Sequence, residues 1–275
     1  MKEKIFAIIG KPLSHTLSPL MHSYWYKKYN INAKYEPIEI EQNKIKEVVE
    51  KIKTKEISGI NITLPYKQVV IPYLDKIIND AKATHSVNTV YLDKKGALIG
   101  DNTDVYGIQA AYLNKINIKK KSNFALVFGA GGVAPSIVYA LVKSNLRKIS
   151  VTNRTYEKSI FLKKKFPFID IIKWEEFRKS IPNFGLIINA TSLGMKNSDQ
   201  FDYLIENVDE KATYIDTIYN PLETQMIKHL KKKNIKTFNG LDMLIYQGQK
   251  SFYIWNKINP EVDDELVNLL INKIK

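Results

Sequence analysis

Two stretches in the second half of the chain carry the plainest chemistry. In ALVFGAGGVAPSIVYALV, Gly129, Gly131 and Ala134 fill the G-x-G-x-x-G/A positions between an apolar strand and an apolar helix. Gly129 permits the tight turn, Gly131 lets the backbone approach a pyrophosphate, and Ala134 lets the helix pack close to the strand. The whole loop, with Ala130, Gly132 and Val133, leads into a helix N-terminus, whose free N–H groups and positive dipole end suit phosphate. A tight turn without a ligand can carry the same residues, so the next strand end matters. The position about 20 residues beyond the glycines, where NAD-binding chains place a carboxylate for the ribose 2′-hydroxyl, falls here in Asn153-Arg154-Thr155. A guanidinium there can clamp a 2′-phosphate in a bidentate way, and Lys158 adds positive charge one turn on. The cofactor these residues favour is NADP.

Other strand ends are polar too. NATSLGM puts Asn189, Thr191 and Ser192 just after the apolar run Leu186–Ile188, at the end of the strand where open parallel sheets hold their ligands. YIDTIYNPLET places Tyr219 after another strand, and NGLDMLIYQG runs from Gly240 into a helix carrying Gln247. In NITLPYK, the run Ile57–Ile62 ends at Thr63, and Pro65 suits the first turn of a helix. Lys67 is then expected where a helix begins, a poor place for a cation. By spacing alone it reads as a solvated lysine.

The elements that must position these residues alternate. Strand-like runs are Lys4–Ile9, Ala33–Ile40, Ile57–Ile62, Phe124–Phe128, Lys148–Thr152, Ile169–Ile172, Leu186–Asn189, Tyr214–Asp216 and Lys236–Phe238. Val87–Leu92 and Ala97–Ile99 flank Asp93-Lys94-Lys95-Gly96 as a hairpin. Helical patterns cover Pro19–Tyr29, Ile45–Lys53, Asp104–Leu113, Val133–Ser144, Tyr156–Phe166, Glu223–Lys232, Leu241–Asn256 and Glu261–Ile274. Such alternation predicts an α/β chain with parallel sheets covered by helices on both faces. The break between two α/β units is expected near residue 102, the second unit starting at Phe124.

Composition narrows the class. The chain has 275 residues, 44% hydrophobic and 25% charged, and no cysteine, which excludes disulfides, thiolate metal sites and Cys nucleophiles. The N-terminal residues do not read as a signal peptide, and no apolar run reaches membrane-spanning length. A cytoplasmic location is the default expectation. The net charge of +14 comes from abundant lysine; Arg147, Arg154 and Arg178 are the only arginines. Specific nucleic-acid readers lean on arginine and no such motif is present, so the charge fits small anions rather than nucleic acid. Lys119-Lys120-Lys121 reads as a solvated loop, and Lys231-Lys232-Lys233 as a helix end, where cations suit the dipole. His15, His22 and His229 lack metal-ligand spacing, and no metal is expected.

In order and spacing, KPLSHTLSP, NITLPYK, GDNTDVYG, GAGGVA, TNRT, NATSLGM and GLDMLIYQ resemble the shikimate dehydrogenase family, from about residue 9 to the C-terminus. The resemblance implies two α/β domains around a cleft: an N-terminal substrate domain, residues 1–101 plus 241–275, and a Rossmann-type NADP domain, residues 102–240. It implies NADPH-dependent, reversible reduction of 3-dehydroshikimate to shikimate, on the route to chorismate and the aromatic amino acids. Asp104 matches the family's catalytic acid beside Lys67, a pair that flanks the reacting hydroxyl. From the residue alone, Asp104 is a helix N-terminal acid with Thr103 as its candidate cap.

Shikimate carries one carboxylate and three hydroxyls. Thr16 and Ser18, two apart in an extended loop, are the expected carboxylate contacts; Thr16 departs from the family's usual Ser. Asn61, Thr63, Asn88 and Gln247 resemble the family's other substrate contacts, Tyr219 closes the same pocket, and Gly240 joins the cofactor contacts. A second departure, His85-Ser86, reads as an exposed loop. The implied partner is this small molecule, bound by a monomer or homodimer with no membrane and no nucleic acid. The alternatives are a quinate or dual quinate/shikimate dehydrogenase and, outside enzymes, a dinucleotide-binding sensor.

Overall fold

The computed structural model describes residues 3–116, 123–202 and 204–274; the loop expected at Lys119-Lys120-Lys121 lies outside them. The chain divides into two compact units, one running to Gly107 and including Leu244–Lys273, the other running Ile108–Met243. The first break falls at Gly107 rather than 101 because hydrogen bonds from Asn88 to Thr103 and Asp104 hold that segment to the first unit.

The first unit is built on a six-stranded sheet of order β2-β1-β3-β5-β6-β4. β1 (Lys4–Gly10) pairs in parallel with β2 (Ala33–Glu39) and β3 (Gly59–Ile62). β5 (Thr89–Leu92) and β6 (Leu98–Asp101) form the expected hairpin, antiparallel to each other, and β5 is antiparallel to β3. β4 (Lys76–Ile77) pairs in parallel with β6. The sheet is therefore mixed, where alternation alone pointed to parallel. β4 has only two residues, too few to leave a period in the sequence.

β1 shows why the sheet is buried on both faces. Ala7 and Ile9 face a core shared with Ile45, Val48, Val49 and Ile52, the apolar stripe of α2 (Ile45–Lys53). Each of the Ile and Val side chains contributes roughly 1.5–3 kcal/mol on burial. Phe6 points the other way, into an aromatic cluster with Tyr26 of α1 (Ser18–Lys28) and Trp255 of α9 (Leu241–Asn256). The C-terminal α10 (Asp264–Ile274) is tied to α1 from its leading loop. Tyr24 donates to Asp263 Oδ2 at 2.8 Å, and Trp25 Nε1 donates to the Glu261 carbonyl at 2.9 Å.

Two short helices complete the first unit. α3 (Asn79–Thr84), absent from the sequence reading, ends at His85, which is exposed with φ 46°. α4 (Asp104–Ile108) was expected to continue to Leu113; instead Gln109–Leu113 widens to π-type winding, with Asn114 N–H donating to the Gln109 carbonyl five residues back.

The second unit is a six-stranded parallel sheet of order β12-β11-β10-β7-β8-β9. Its strands are β7 (Phe124–Phe128), β8 (Lys148–Thr152), β9 (Asp170–Ile171), β10 (Leu186–Asn189), β11 (Thr213–Asp216) and β12 (Lys236–Phe238). From β7 the chain steps outward to β8 and β9, then crosses to β10 and outward the other way. Loops at such a reversal of strand order diverge and leave room for a ligand. The connecting helices are α5 (Ala134–Lys143), α6 (Tyr156–Lys165), a single turn α7 (Phe177–Ser180) and α8 (Gln225–Lys232). Leu126, Phe128, Phe177, Ile187, Tyr214 and Leu230 share one core. Among the described residues, no helix is long and apolar enough to cross a membrane.

His22 is an exception to the apolar rule. It is fully buried, stacked on Tyr35 at 4.3 Å, and among the described residues neither ring nitrogen has a hydrogen-bond partner. Burial pushes its pKa down to about 3. In the unfolded chain the ring titrates near ~6.5, so the folded state binds fewer protons between those values. Its contribution to stability is present above about 6.5 and is lost progressively as pH falls toward 3. His22→Phe should therefore lose less stability than wild type between pH 7 and pH 5, read from urea midpoints; parallel losses would show that the buried ring does not titrate this way.

Candidate active site

Lys67 is set in place by its neighbour. Tyr66 is buried, and its hydroxyl donates to the Ile40 carbonyl at 2.6 Å. No helix begins at Pro65: residues 64–70 form turns after a cis Leu64–Pro65 peptide. The Lys67 carbonyl accepts from Val87 N–H at 2.8 Å, so the backbone here is sewn to the segment entering β5 and is not free for a helical bond. The awkward cation at a helix start thus disappears. Lys67 Nζ instead lies 2.7 Å from Asp104 Oδ2, with the two side chains only 12% and 6% exposed.

Asp104 opens α4, and its cap is not Thr103. Asn102 Oδ1 accepts from the N–H groups of Asp104 at 3.0 Å and Val105 at 3.3 Å. The Asn102 amide is itself held by the Ser86 carbonyl at 2.8 Å. Thr103 N–H donates to Asn88 Oδ1 at 2.8 Å. A backbone N–H can only donate, so it fixes which end of the Asn88 amide is oxygen. The other end, Nδ2, donates to Asp104 Oδ1 at 2.9 Å. Both carboxylate oxygens are therefore engaged, one by an ammonium and one by an amide, the condition under which a buried ion pair is tolerated.

The other substrate-side residues separate into two groups. Gln247 Oε1 lies 3.4 Å from Asn88 Nδ2, and Thr63 is half-buried at the end of β3. Asn61 faces inward, 5% exposed: Oδ1 accepts from the Tyr35 hydroxyl at 2.8 Å, and Nδ2 lies at 2.9 Å from the Asn88 carbonyl and 3.0 Å from Ser251 Oγ. Its amide is spent on holding β3 to β5 and α9. Thr16 and Ser18 do not lie in an extended loop. Thr16 N–H closes a turn on the Leu13 carbonyl at 3.1 Å, and Ser18 is the buried first residue of α1, ahead of Pro19. Tyr219 belongs to the second unit, half-buried just beyond β11, and burial raises its phenol pKa.

In the second unit the glycine loop behaves as its residues require. Gly129 has φ 106°, and a Cβ there would stand 2.8 Å from Thr191 Cγ2. A Cβ on Gly131 would meet nothing within 4 Å, which leaves the backbone open to an approaching group. Ala134 is buried at the start of α5, Pro135 follows, and no side chain caps that start. Asn153 Oδ1 accepts from Ala130 N–H at 3.1 Å and ties the two loops together. Arg154, Thr155 and Lys158 are exposed. An open glycine backbone, an uncapped helix start and an exposed guanidinium fit a nucleotide with a pyrophosphate and a 2′-phosphate. The sequence reading missed Asp199, whose carboxylate lies 3.5 Å from Arg154 Nη1.

Two expected cofactor residues are consumed internally. Asn189 is fully buried; Nδ2 donates to the Leu193 carbonyl and to Asp216 Oδ1, and Oδ1 accepts from Thr191 N–H and hydroxyl. Asp216 is buried in turn and its pKa is pushed up to about 6 by desolvation. A Cβ on Gly240 would stand 2.1 Å from the Thr217 carbonyl oxygen, so close backbone packing requires this glycine. Thr191 is half-buried and Ser192 exposed at the same strand end. Among the described residues, no three His, Asp or Glu side chains are placed to hold a metal ion.

Sequence comparison agrees with this division. Residues 8–90 match the family model described as shikimate dehydrogenase substrate binding domain, and residues 112–235 match the one described as shikimate/quinate 5-dehydrogenase. A shikimate dehydrogenase (NADP(+)) of Pelagibacter ubique is 45% identical over 268 residues, spanning 98% of this chain and 99% of the relative. A crystal structure of a shikimate dehydrogenase in complex with NADP+ is 34% identical, with TM-score 0.89 over 99% of this chain and 96% of that one. The Thermus thermophilus enzyme, solved with NADP(H) and shikimate, is 27% identical, with TM-score 0.83 over 98% of each chain. With both units matched in order and a relative this similar along its whole length, the chain belongs to the shikimate dehydrogenase family.

Proposed function

We propose that this chain catalyses the reversible, NADPH-dependent reduction of 3-dehydroshikimate to shikimate in chorismate and aromatic amino-acid biosynthesis, as a cytoplasmic enzyme. The observation that carries it is the buried Lys67–Asp104 pair, at 2.7 Å, in a chain 45% identical to a shikimate dehydrogenase. NADPH, when bound, supplies the hydride. What remains for the protein is the substrate oxygen, which gains negative charge as the C=O π bond breaks and a C–H bond forms. Lys67 Nζ, held by Asp104, donates a hydrogen bond to that oxygen and then its proton; in the reverse direction it takes the proton back. Asp104 keeps the amine aimed and accepts from a neighbouring substrate hydroxyl. Gln247 supplies an amide for the ring hydroxyls, Asn88 borders them while its amide holds Asp104, and the Thr16 and Ser18 hydroxyls bind the carboxylate. Thr63 completes the polar contacts in the first unit.

On the cofactor side, Gly129–Ala134 cradle the pyrophosphate, and Arg154 with Lys158 take the 2′-phosphate. Asn153 and Thr155 shape that clamp. Asn189 and Gly240 support the neighbouring loops through packing, and Thr191 and Ser192 border the nucleotide. Quinate differs from shikimate in its ring hydroxyls and saturation, not in its carboxylate, so both acids belong in one assay.

Lys67→Ala should lower the rate of shikimate oxidation by about 10²–10⁴-fold with the fold intact by circular dichroism; normal turnover would remove Lys67 from the chemistry. Arg154→Ala should raise the KM for NADP by roughly tenfold or more, in line with losing charge-assisted hydrogen bonds, and leave the KM for NAD within about twofold. Equal effects on the two cofactors would refute the clamp. Initial rates with shikimate and quinate, each with NADP and NAD, test the substrate; a preference for quinate would replace the present reading by its nearest rival.

A further inference from the structure

Behind Asn88 lies a knot of buried hydroxyls that the mechanism does not use. Ser251, on α9 one turn after Gln247, is fully buried. Its Oγ lies 2.8 Å from Thr89 Oγ1, 3.0 Å from Asn61 Nδ2, 3.2 Å from Thr103 Oγ1 and 3.2 Å from the Gln247 carbonyl. Thr103 Oγ1 in turn lies 2.9 Å from Asn88 Nδ2 and 3.1 Å from Asn88 Oδ1. We propose that Ser251 is a positioning residue for the Lys67–Asp104 pair, acting through Thr103 and Asn88; the proposal rests on the dehydrogenase reading above.

Counting protons gives the reason. A hydroxyl has one proton and two lone pairs, and an amide oxygen two lone pairs. Asn88 Oδ1 already accepts from Thr103 N–H at 2.8 Å and from Thr89 Oγ1 at 3.0 Å. Its capacity is full, so the Thr103 hydroxyl proton has Ser251 Oγ as its remaining acceptor. With that proton turned away, the Thr103 lone pairs face Asn88 Nδ2. One Asn88 amide proton then goes to Thr103, and the other is aimed at Asp104 Oδ1. Ser251 passes its own proton to Thr89 or to the Gln247 carbonyl. Without the Ser251 hydroxyl, the Thr103 proton competes for Asn88 Oδ1, and the amide loses the contact that orients it on Asp104. The carboxylate that aims Lys67 is then held from one side only.

The test is kinetic and spectroscopic. Ser251→Ala and Thr103→Val each remove one end of the link. Each should lower kcat for shikimate oxidation about tenfold per mole of folded protein, with the shikimate KM within about twofold, since misplacement at the reacting centre acts mainly on turnover. The double variant should fall no further than either single one, because both break one link. Ser251→Thr, which keeps the hydroxyl, should recover most of the rate. Ser150→Ala, a buried serine in the second unit, should leave it unchanged. In 15N-labelled protein the Asn88 side-chain NH₂ signals, identified by their loss in Asn88→Asp, should shift in Ser251→Ala. Near-normal kcat in Ser251→Ala, independent losses that multiply in the double variant, or unmoved Asn88 signals would overturn the proposal. A wild type that does not oxidise shikimate would overturn the proposed function instead, and the Asn88 signals would still decide the role of Ser251.

Discussion

An ammonium and a carboxylate are enclosed together in the first unit, and much of that unit exists to make this tolerable. Taken singly, either charge would cost several kcal/mol to bury. Taken together they are stable only if every remaining lone pair and proton finds a partner. That requirement explains the composition around them. Asn88, Asn102 and Thr103 are buried yet polar, and each spends its hydrogen-bonding groups on this segment. The same requirement explains the backbone: three separate chain segments, around Lys67, Asn88 and Asp104, are tied by Val87 N–H to the Lys67 carbonyl and Asn88 N–H to the Asp101 carbonyl.

The second unit follows a different logic. Where the first unit encloses charge, the second leaves polarity exposed at the ends of a fully parallel sheet. Two of its buried polar groups, Asn189 and Asp216, satisfy one another beneath the surface and hold the loops above in shape. Arg154 stands outside, paired with Asp199 at 3.5 Å, both exposed, so solvent and salt screen that pairing strongly. On the proposed reading, an arriving dianionic phosphate has only a weak partner to displace.

The second unit was the more legible in sequence, and the cause is physical. A parallel strand buried on both faces is a continuous apolar run, and the glycine spacing after β7, with the positive φ of Gly129, is a local pattern. Neither signal needs knowledge of distant residues. The first unit was read less well. Its mixed pairing depends on which strand sits beside which, and β4 and α3 are too short to carry a period. Pro65 suggested a helix because proline favours first turns, but the carbonyl of Lys67 is committed to Val87, twenty residues away in the chain (a tertiary bond overriding a local preference). Lys67 by spacing alone was a solvated lysine; only the family pattern linked it to Asp104. Asn61 and Asn189 carried the right residue type for ligand contact but point inward, and residue type does not reveal direction. Ser251 and Gln247 stand one turn apart on one helix, a polar pair on an otherwise apolar face that could have been noticed.

The first unit is discontinuous in the chain: Leu244–Lys273, most of α9 and α10, belongs to it, yet Ile108–Met243 of the second unit is inserted before that segment. A ribosome therefore releases the second unit with all its strands in hand, while the first waits for its closing helices. Until they arrive, the aromatic face that receives Phe252 and Trp255 is bare, and Asn61, Thr89 and Thr103 lack the Ser251 hydroxyl. Order of emergence thus lets the second unit gather its strands first, while the surroundings of Lys67 and Asp104 wait for α9.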